Sequence, residues 1–281
     1  MKNPDQKIAR LYDYIIVGAG SAGAIVAARL SEDPDKEVLL LEAGPEDNSY
    51  WSKIPLGFAK ILFNEKYMRW NHQTENEPGL KNNTYPLPHG KLLGGSSAIN
   101  GLVHVRGSSF DYNTWEKEGA DGWGYRDVLP YFKKSERDHR GEDEYHGGDG
   151  PIGVELARWK NPLADAYIDT AVTTLNIPRN NDFNRPNIEG AGYWDLATWK
   201  GRRSSTSAGY IKPNRKHPNF TILTEAYVTK VDFEGKTAVG VSYERDGELY
   251  HAQAKREVIL SAGALQTPQL LSYQVSVLQI F

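Results

Sequence analysis

The sequence predicts an α/β fold built on a parallel sheet, and three observations near its amino terminus predict it. Tyr14-Ile15-Ile16-Val17 is a short apolar run of the kind found in strands buried on both faces. Gly18, Gly20 and Gly23 follow at G-x-G-x-x-G spacing, and the small and apolar residues 24–30 predict a helix. Beyond the helix-breaking Asp33-Pro34-Asp35, residues 37–41 read as a second strand ending in Glu42, 19 positions after Gly23. Strand, glycine turn, helix, strand and acid stand in the order of a Rossmann-like βαβ unit, in which the acid comes ~20 positions on.

The chemistry of a dinucleotide explains each residue of this unit. Gly18 permits the tight turn, Gly20 lets the backbone approach a pyrophosphate, and Gly23 allows the helix to pack closely on the sheet. Ser21 and Ala22 lie on the same turn, where a helix N-terminus offers unpaired N–H groups and a positive dipole end to phosphates. Glu42, followed by Ala43, would accept hydrogen bonds from a ribose diol and repel a 2′-phosphate. The spacing leaves FAD and NAD both open, and a glycine-rich turn without a ligand is the structural alternative.

A chain of 281 residues has room for roughly two domains and a sizeable core. Its 39% hydrophobic and 25% charged residues are those of a globular protein. The net charge of −3 gives no electrostatic reason for a nucleic-acid partner or an anionic membrane surface. With no cysteine, disulfides, thiolate catalysis and thiolate metal sites are excluded. Residues 14–28 are uncharged, but they fall short of the ~20 a spanning helix needs and carry three glycines. The expectation is a soluble cytoplasmic protein with no cleaved leader and no integral membrane segment.

Residues 45–85 lack periodicity but carry Trp51, Trp70 and Tyr85, which predicts a structured excursion rather than disorder. Gly94-Gly95 then removes two side chains in succession, so that a flat ring can lie against bare backbone, and Ser96-Ser97 offers a helix N-cap for a short helix over residues 98–105. Residues 138–151 are charged and glycine-rich and read as a solvated loop. His139 and His146 lie there beside carboxylates, but the flexible spacing argues against a metal. Asn161-Pro162 opens a helix over residues 163–175, and residues 193–198 alternate like a strand. Tyr193, Trp194 and Trp199 could line the wall of a ligand site or pack in the core, and the core reading is preferred. Residues 221–224, 226–232, 239–244 and 257–260 read as further strands, and a helix starts at Thr267.

Gly94-Gly95-Ser96-Ser97-Ala98-Ile99-Asn100-Gly101, closing with Arg106-Gly107, resembles the signature of the glucose–methanol–choline (GMC) oxidoreductases. Glu42-Ala43-Gly44, Asp111-Tyr112-Asn113-Thr114-Trp115, Gly122-Trp123-Gly124-Tyr125 and the run from Leu129 to Glu136 are similar to that family too, and the resemblance extends from about Tyr12 to Leu271. It implies FAD, with Leu93, Gly94, Gly95, Ser96, Asn100 and Gly101 along the flavin. By the same resemblance Val228 lies near the adenine end, and Ala262 and Gly263 mark the return to the nucleotide domain. His89 stands where relatives usually carry Arg. Ile99 stands where some relatives attach FAD through a His, so the cofactor is expected to be non-covalent. His104, in an apolar run, is expected to be packed or hydrogen-bonded.

The implied domains are residues 1–150 as the first FAD-binding segment, 151–220 as an inserted and incomplete α+β substrate segment, 221–271 as the returning FAD-binding segment, and 272–281 as a divergent tail. The family oxidises alcohols to carbonyls, a histidine base taking the hydroxyl proton while hydride passes to flavin N5, with oxygen or a quinone-like acceptor downstream. None of the seven histidines stands in a motif matching that base. The chain therefore reads as carboxy-terminally truncated, with the catalytic histidine beyond its end. The implied partners are a small alcohol, the electron acceptor and a companion polypeptide carrying the other half; a non-catalytic FAD-binding remnant is the alternative.

Overall fold

The computed structural model describes residues 7–64 and 68–278. In chain order it comprises β1 (Lys7–Val17), α1 (Ser21–Leu30), β2 (Val38–Leu41), the short helices α2 (Tyr50–Lys53) and α3 (Gly57–Asn64), and a hairpin of β3 (Arg69–Gln73) and β4 (Pro86–Gly90). After a 3-10 turn at Gly95–Ala98 come α4 (Ser109–Lys117), α5 (Tyr125–Ser135), β5 (Glu136–Asp138), β6 (Ile152–Leu156), α6 (Pro162–Leu175), β7 (Asp195–Leu196), β8 (Thr198–Trp199) and β9 (Arg202–Arg203). A π-helical turn at Ser207–Ile211 leads through α7 (Lys212–Asn214) to β10 (Phe220–Leu223), β11 (Tyr227–Glu234), β12 (Thr237–Arg245), β13 (Glu248–Leu260) and α8 (Gly263–Leu278).

The chain divides into two compact units, residues 1–100 with 205–281, and residues 101–204. The first holds a six-stranded sheet in the order β10-β2-β1-β13-β12-β11. Strands β10, β2, β1 and β13 run parallel, while β11, β12 and the first part of β13, which pairs with β12 on its other edge, form an antiparallel meander. Successive side chains of the parallel strands enter opposite layers, as the two-residue period requires. Ile15, Val17, Leu39 and Leu41 pack with Val228, Val231, Val241 and Tyr243, whereas Ile16, Val38 and Leu40 pack with Ala24 and Ala27 of α1 and with Ile211 and Phe220. The all-apolar pattern of residues 14–17 and 38–41 is thus the signature of two covered faces.

The second unit is held by the sheet β5-β6-β7 and by α4, α5 and α6. Ser108 and Asp111 form a capping box on α4, and Asn161 accepts from the Leu163 N–H at the start of α6, as its position predicts.

Several elements differ from the sequence reading. Residues 98–105 are not a helix. The chain leaves its 3-10 turn, Leu102 adopts φ 72°, and residues 102–104 hydrogen-bond residues 195–197 in extended conformation. Strand pairing here outcompetes the local helix signal. Residues 138–151 are not simply a solvated loop, because Asp138, His146, Gly147 and Gly150 are buried within it. Residues 193–198 give two short strands rather than one, and Trp194 is 44% exposed against Phe183 instead of in the core. Helix α8 starts at Gly263, four residues earlier than Thr267. The compact units break after Asn100 and Ser204, whereas the sequence reading divides the chain at 150 and 220 by family resemblance. The composition shift at residue 151 falls between β5 and β6, which pair with each other and so belong together.

Candidate functional site

A cavity of about 480 Å³ opens outside the carboxyl ends of β1, β2 and β13, with Val17, Leu41 and Leu260 in its lining. That is where open α/β sheets bind ligands, and the volume is in the range of small-molecule and cofactor sites.

The fingerprint glycines divide their work. Gly18 has φ 96°, and a Cβ there would lie 2.6 Å from the Ser261 carbonyl oxygen. A Cβ on Gly23 would lie 1.9 Å from the Gly18 carbonyl oxygen, so this glycine lets α1 sit down on the sheet. Gly20 differs: nothing stands nearer to its Cβ position than the Gly95 Cα, at 4.0 Å. Its bare side lines the cavity. Gly20 is also the N-cap of α1 and makes no side-chain cap bond, and no acidic residue follows in the first turn. The helix end therefore presents its dipole and N–H groups, beside Ser21 and Ala22, to whatever fills the cavity.

The second glycine motif meets the first here. A Cβ on Gly95 would come within 2.7 Å of the Gly20 Cα. Gly94 donates its N–H to the Ala19 carbonyl at 2.8 Å. Ser96 Oγ accepts from the Gly90 N–H, and Ser97 Oγ bonds the Gly94 carbonyl at 2.6 Å and accepts from the Thr206 N–H. Two bare backbones separated by 75 positions in sequence are locked side by side along the cavity.

Glu42 is 6% exposed, and both its oxygens accept backbone N–H groups, Oε2 from Ala19 and Oε1 from Gly44, each at 2.9 Å. It pins the fingerprint turn to the end of β2 while also lining the cavity. Burial pushes its carboxyl up to about 7, against the lowering effect of those two N–H groups.

Of the other residues the sequence singles out, Ala43, Ser96, Val228, Ala262 and Gly263 line the cavity. Gly23, Leu93, Gly94, Asn100 and Gly101 do not. Leu93 is 1% exposed in the core beside Ile16, and Gly94, at φ 90°, turns against Ser207. Asn100 and Gly101 stand past the 3-10 turn, and Gly101 is the first residue of the second unit.

The lining residues that carried no cofactor signal in the sequence include Trp70, Tyr227 and Gln266. Trp70 lies directly across the β3–β4 hairpin from His89, which lines the cavity as well. The Trp70 ring is 6.1 Å from that of Tyr227, and Lys91 Nζ lies 4.7 Å above it. Gln266 meets His72 Nε2 at 3.1 Å. His89 donates from Nδ1 to the Leu87 carbonyl at 3.1 Å. The hairpin register pairs Trp70 with His89, while Tyr227 comes from β11 and Gln266 from α8.

His104 is hydrogen-bonded, as its sequence context predicts, with Nε2 3.1 Å from Glu136 Oε1. Among the described residues, Glu136, Asp138 and His146 have donor atoms close enough to hold a metal ion, within 4.8 Å of one another. Their lone pairs are already taken. Glu136 accepts from His104, Arg106, His146 and Gly147, and Asp138 accepts the Arg140 guanidinium. A cation entering there would have to displace guanidinium groups.

A family model described as GMC oxidoreductase matches residues 12–274. Mitochondrial choline dehydrogenase of Mus musculus is 42% identical over 267 residues, covering 92% of this chain and 44% of its own length. Oxygen-dependent choline dehydrogenase 1 of Chromohalobacter salexigens is 45% identical over 268 residues, covering 94% and 48%. Among solved structures, pyridoxine 4-oxidase from Mesorbium loti superposes with a TM-score of 0.86 at 34% identity, covering 92% of this chain and 51% of that one. An FAD-dependent oxidoreductase from Chaetomium thermophilum superposes with a TM-score of 0.84 at 29% identity, covering 92% and 47%. The chain spans about half the length of the curated relatives it matches.

Proposed function

The chain belongs to the GMC oxidoreductase family, and from that premise we propose that it is the flavin-holding part of an enzyme that oxidises small alcohols, with FAD bound non-covalently in the cavity. The observation that carries this reading is the meeting of Gly20 and Gly95, which leaves two stretches of bare backbone facing one ligand-sized space. A nicotinamide site needs the fingerprint alone; the second glycine motif suits a second flat ring system. The residues present fit such a group. The α1 N-terminus at Gly20, Ser21 and Ala22 takes the pyrophosphate, Glu42 the ribose diol, Val228 and Tyr227 the adenine end, and Gly95 and Ser96 the isoalloxazine. When bound, FAD supplies the acceptor for hydride leaving a carbinol carbon.

Proton removal from the alcohol needs a base within hydrogen-bond reach. Among the described residues, His89 is the histidine lining the cavity, and its Nδ1 is engaged with Leu87. We assign the base instead to a companion segment outside residues 1–281, in line with relatives about twice as long. The similarity to choline dehydrogenases and to pyridoxine 4-oxidase supports a small primary alcohol as substrate, and the oxygen-dependent relatives support oxygen as acceptor, with a quinone-like molecule as the alternative. No helix among the described residues is long and apolar enough to cross a membrane; a cytoplasmic location is part of the proposal.

The test is an FAD titration of the chain and of Gly20→Val, followed by flavin absorbance and fluorescence. The parent chain should retain FAD and the variant should lose it while keeping its circular dichroism, because a branched side chain at Gly20 fills the space beside Gly95. Equal retention by both would remove the fingerprint from the cofactor site.

A further inference from the structure

His146, in the loop between β5 and β6, is fully buried. Its Nδ1 lies 3.0 Å from Glu136 Oε2 and 3.3 Å from Asp138 Oδ2, and its Nε2 lies 2.9 Å from Asp182 Oδ2. An ionised carboxylate only accepts hydrogen bonds, so a ring nitrogen facing one has to carry a proton. A neutral imidazole has a single N–H and would set its other lone pair against an anion.

The Glu136 and Asp182 carboxylates are themselves held ionised. Glu136 also accepts from Arg106 at 2.7 Å, from the Gly147 N–H and from His104; burial opposes its charge, but these donors hold it well below the usual range. Asp182 accepts from the Asn184 N–H and from Arg185 Nε at 2.8 Å and is likewise held low against burial. Neither has reason to lend His146 a proton.

We propose that His146 is a doubly protonated imidazolium at neutral pH, and that this buried cation makes the unit of residues 101–204 an alkaline-sensitive element of the protein. The local charge count points the same way. Glu136, Asp138, Asp143, Asp182 and Asp195 face Arg106, Arg140 and Arg185. Five anions against three guanidiniums leave an excess of two, and the imidazolium halves it. The remaining titratable neighbours are His104 on Glu136 and His139, 3.7 Å from Asp195. Asp143 takes the backbone N–H of His146, and Arg140 reaches Asp182 at 3.8 Å.

Burial by itself would lower the imidazole; the Asp182 and Glu136 carboxylates overcome it and raise it to about 9. A histidine raised from an ordinary ~6.5 contributes stability that is complete below that value and lost as the pH rises through about 9. The unfolding equilibrium constant of this unit should therefore grow on the order of 100-fold between pH 6.5 and 9.5 through this group alone.

The test is NMR of the full chain with ring-labelled histidine, together with urea unfolding across the same pH range. His146 should show two protonated ring nitrogens at pH 7.5 and titrate near pH 9. Asp182→Asn, which keeps an acceptor and removes a charge, should bring that midpoint down toward 6.5. His146→Gln should flatten the alkaline limb of stability; if it fails to fold, the NMR titration and Asp182→Asn still decide. A neutral ring at pH 7.5, or an alkaline limb unchanged in Asp182→Asn, would overturn the proposal. So would stoichiometric zinc that shifts the His146 signals and is reversed by a chelator, which would make the cluster a metal site.

Discussion

At the residue scale, Glu42 combines two demands in one carboxylate. It holds the Ala19 and Gly44 N–H groups, and it lines the cavity where a ribose diol would sit. Charge-assisted hydrogen bonds contribute about 1.5–3 kcal/mol each. Glu42→Ala should accordingly weaken FAD binding by about ten- to a hundredfold in a calorimetric titration. The pH dependence has a definite sign. With its carboxyl raised to about 7, the ligand-free protein carries a proton there that helps stability below the unfolded value near 4.5 and is lost as pH rises through about 7. Ribose hydroxyls donate to the ionised form. FAD affinity should therefore rise between pH 6 and pH 8 in the parent chain and stay level in Glu42→Gln; a level parent profile would detach Glu42 from the ribose.

At the scale of elements, helix α1 depends on one atom's worth of space. The Gly23 Cβ position is 1.9 Å from the Gly18 carbonyl oxygen, a backbone atom that cannot swing aside. Gly23→Ala would push α1 off β1 and open the packing of Ala24 and Ala27 against Ile16 and Leu40. Overpacking of this kind costs about 1–3 kcal/mol, more than the few tenths to 1 kcal/mol that alanine gains through the unfolded state. Chemical denaturation should show that loss. Gly79→Ala is the control: its Cβ meets nothing within 4 Å and its φ is not positive, so stability should hold or rise slightly.

At the scale of the whole molecule, the proposed function separates binding the cofactor from turning it over. The first unit brings the fingerprint, the Gly94–Ser97 loop and the end of β13 around one cavity. The proposed base lies outside the chain, and general acid–base groups contribute about 10²–10⁴-fold to rates. After FAD reconstitution, anaerobic bleaching by a panel of alcohols including choline should be slow. Adding a polypeptide that carries the complementary half of a relative should restore it. Fast bleaching by the chain alone would place a base within residues 1–281, with His89 the first to substitute. Large exposed apolar side chains, Leu56 at 82% and Phe63 at 77% among them, are the surfaces through which the isolated chain would aggregate.

The βαβ unit was legible in the sequence because its causes are local. An all-apolar run means two covered faces, the glycines mark where backbone meets backbone, and Glu42 falls at the distance set by one helix and one strand. The strands at residues 221–244 were legible for the same reason, as was the resemblance of the GGSS motif to one family, but of β13 only its last four residues were. The tertiary structure decided what is near what across long separations. It placed Gly95 against Gly20, Trp70 opposite His89, and Gln266 beside His72. It also turned residues 102–104 from a predicted helix into an extended segment and drew a charged loop inward around His146. Partners from elsewhere in the chain satisfied those backbone and ionised groups, and a pattern read along the sequence carries no information about which partners arrive.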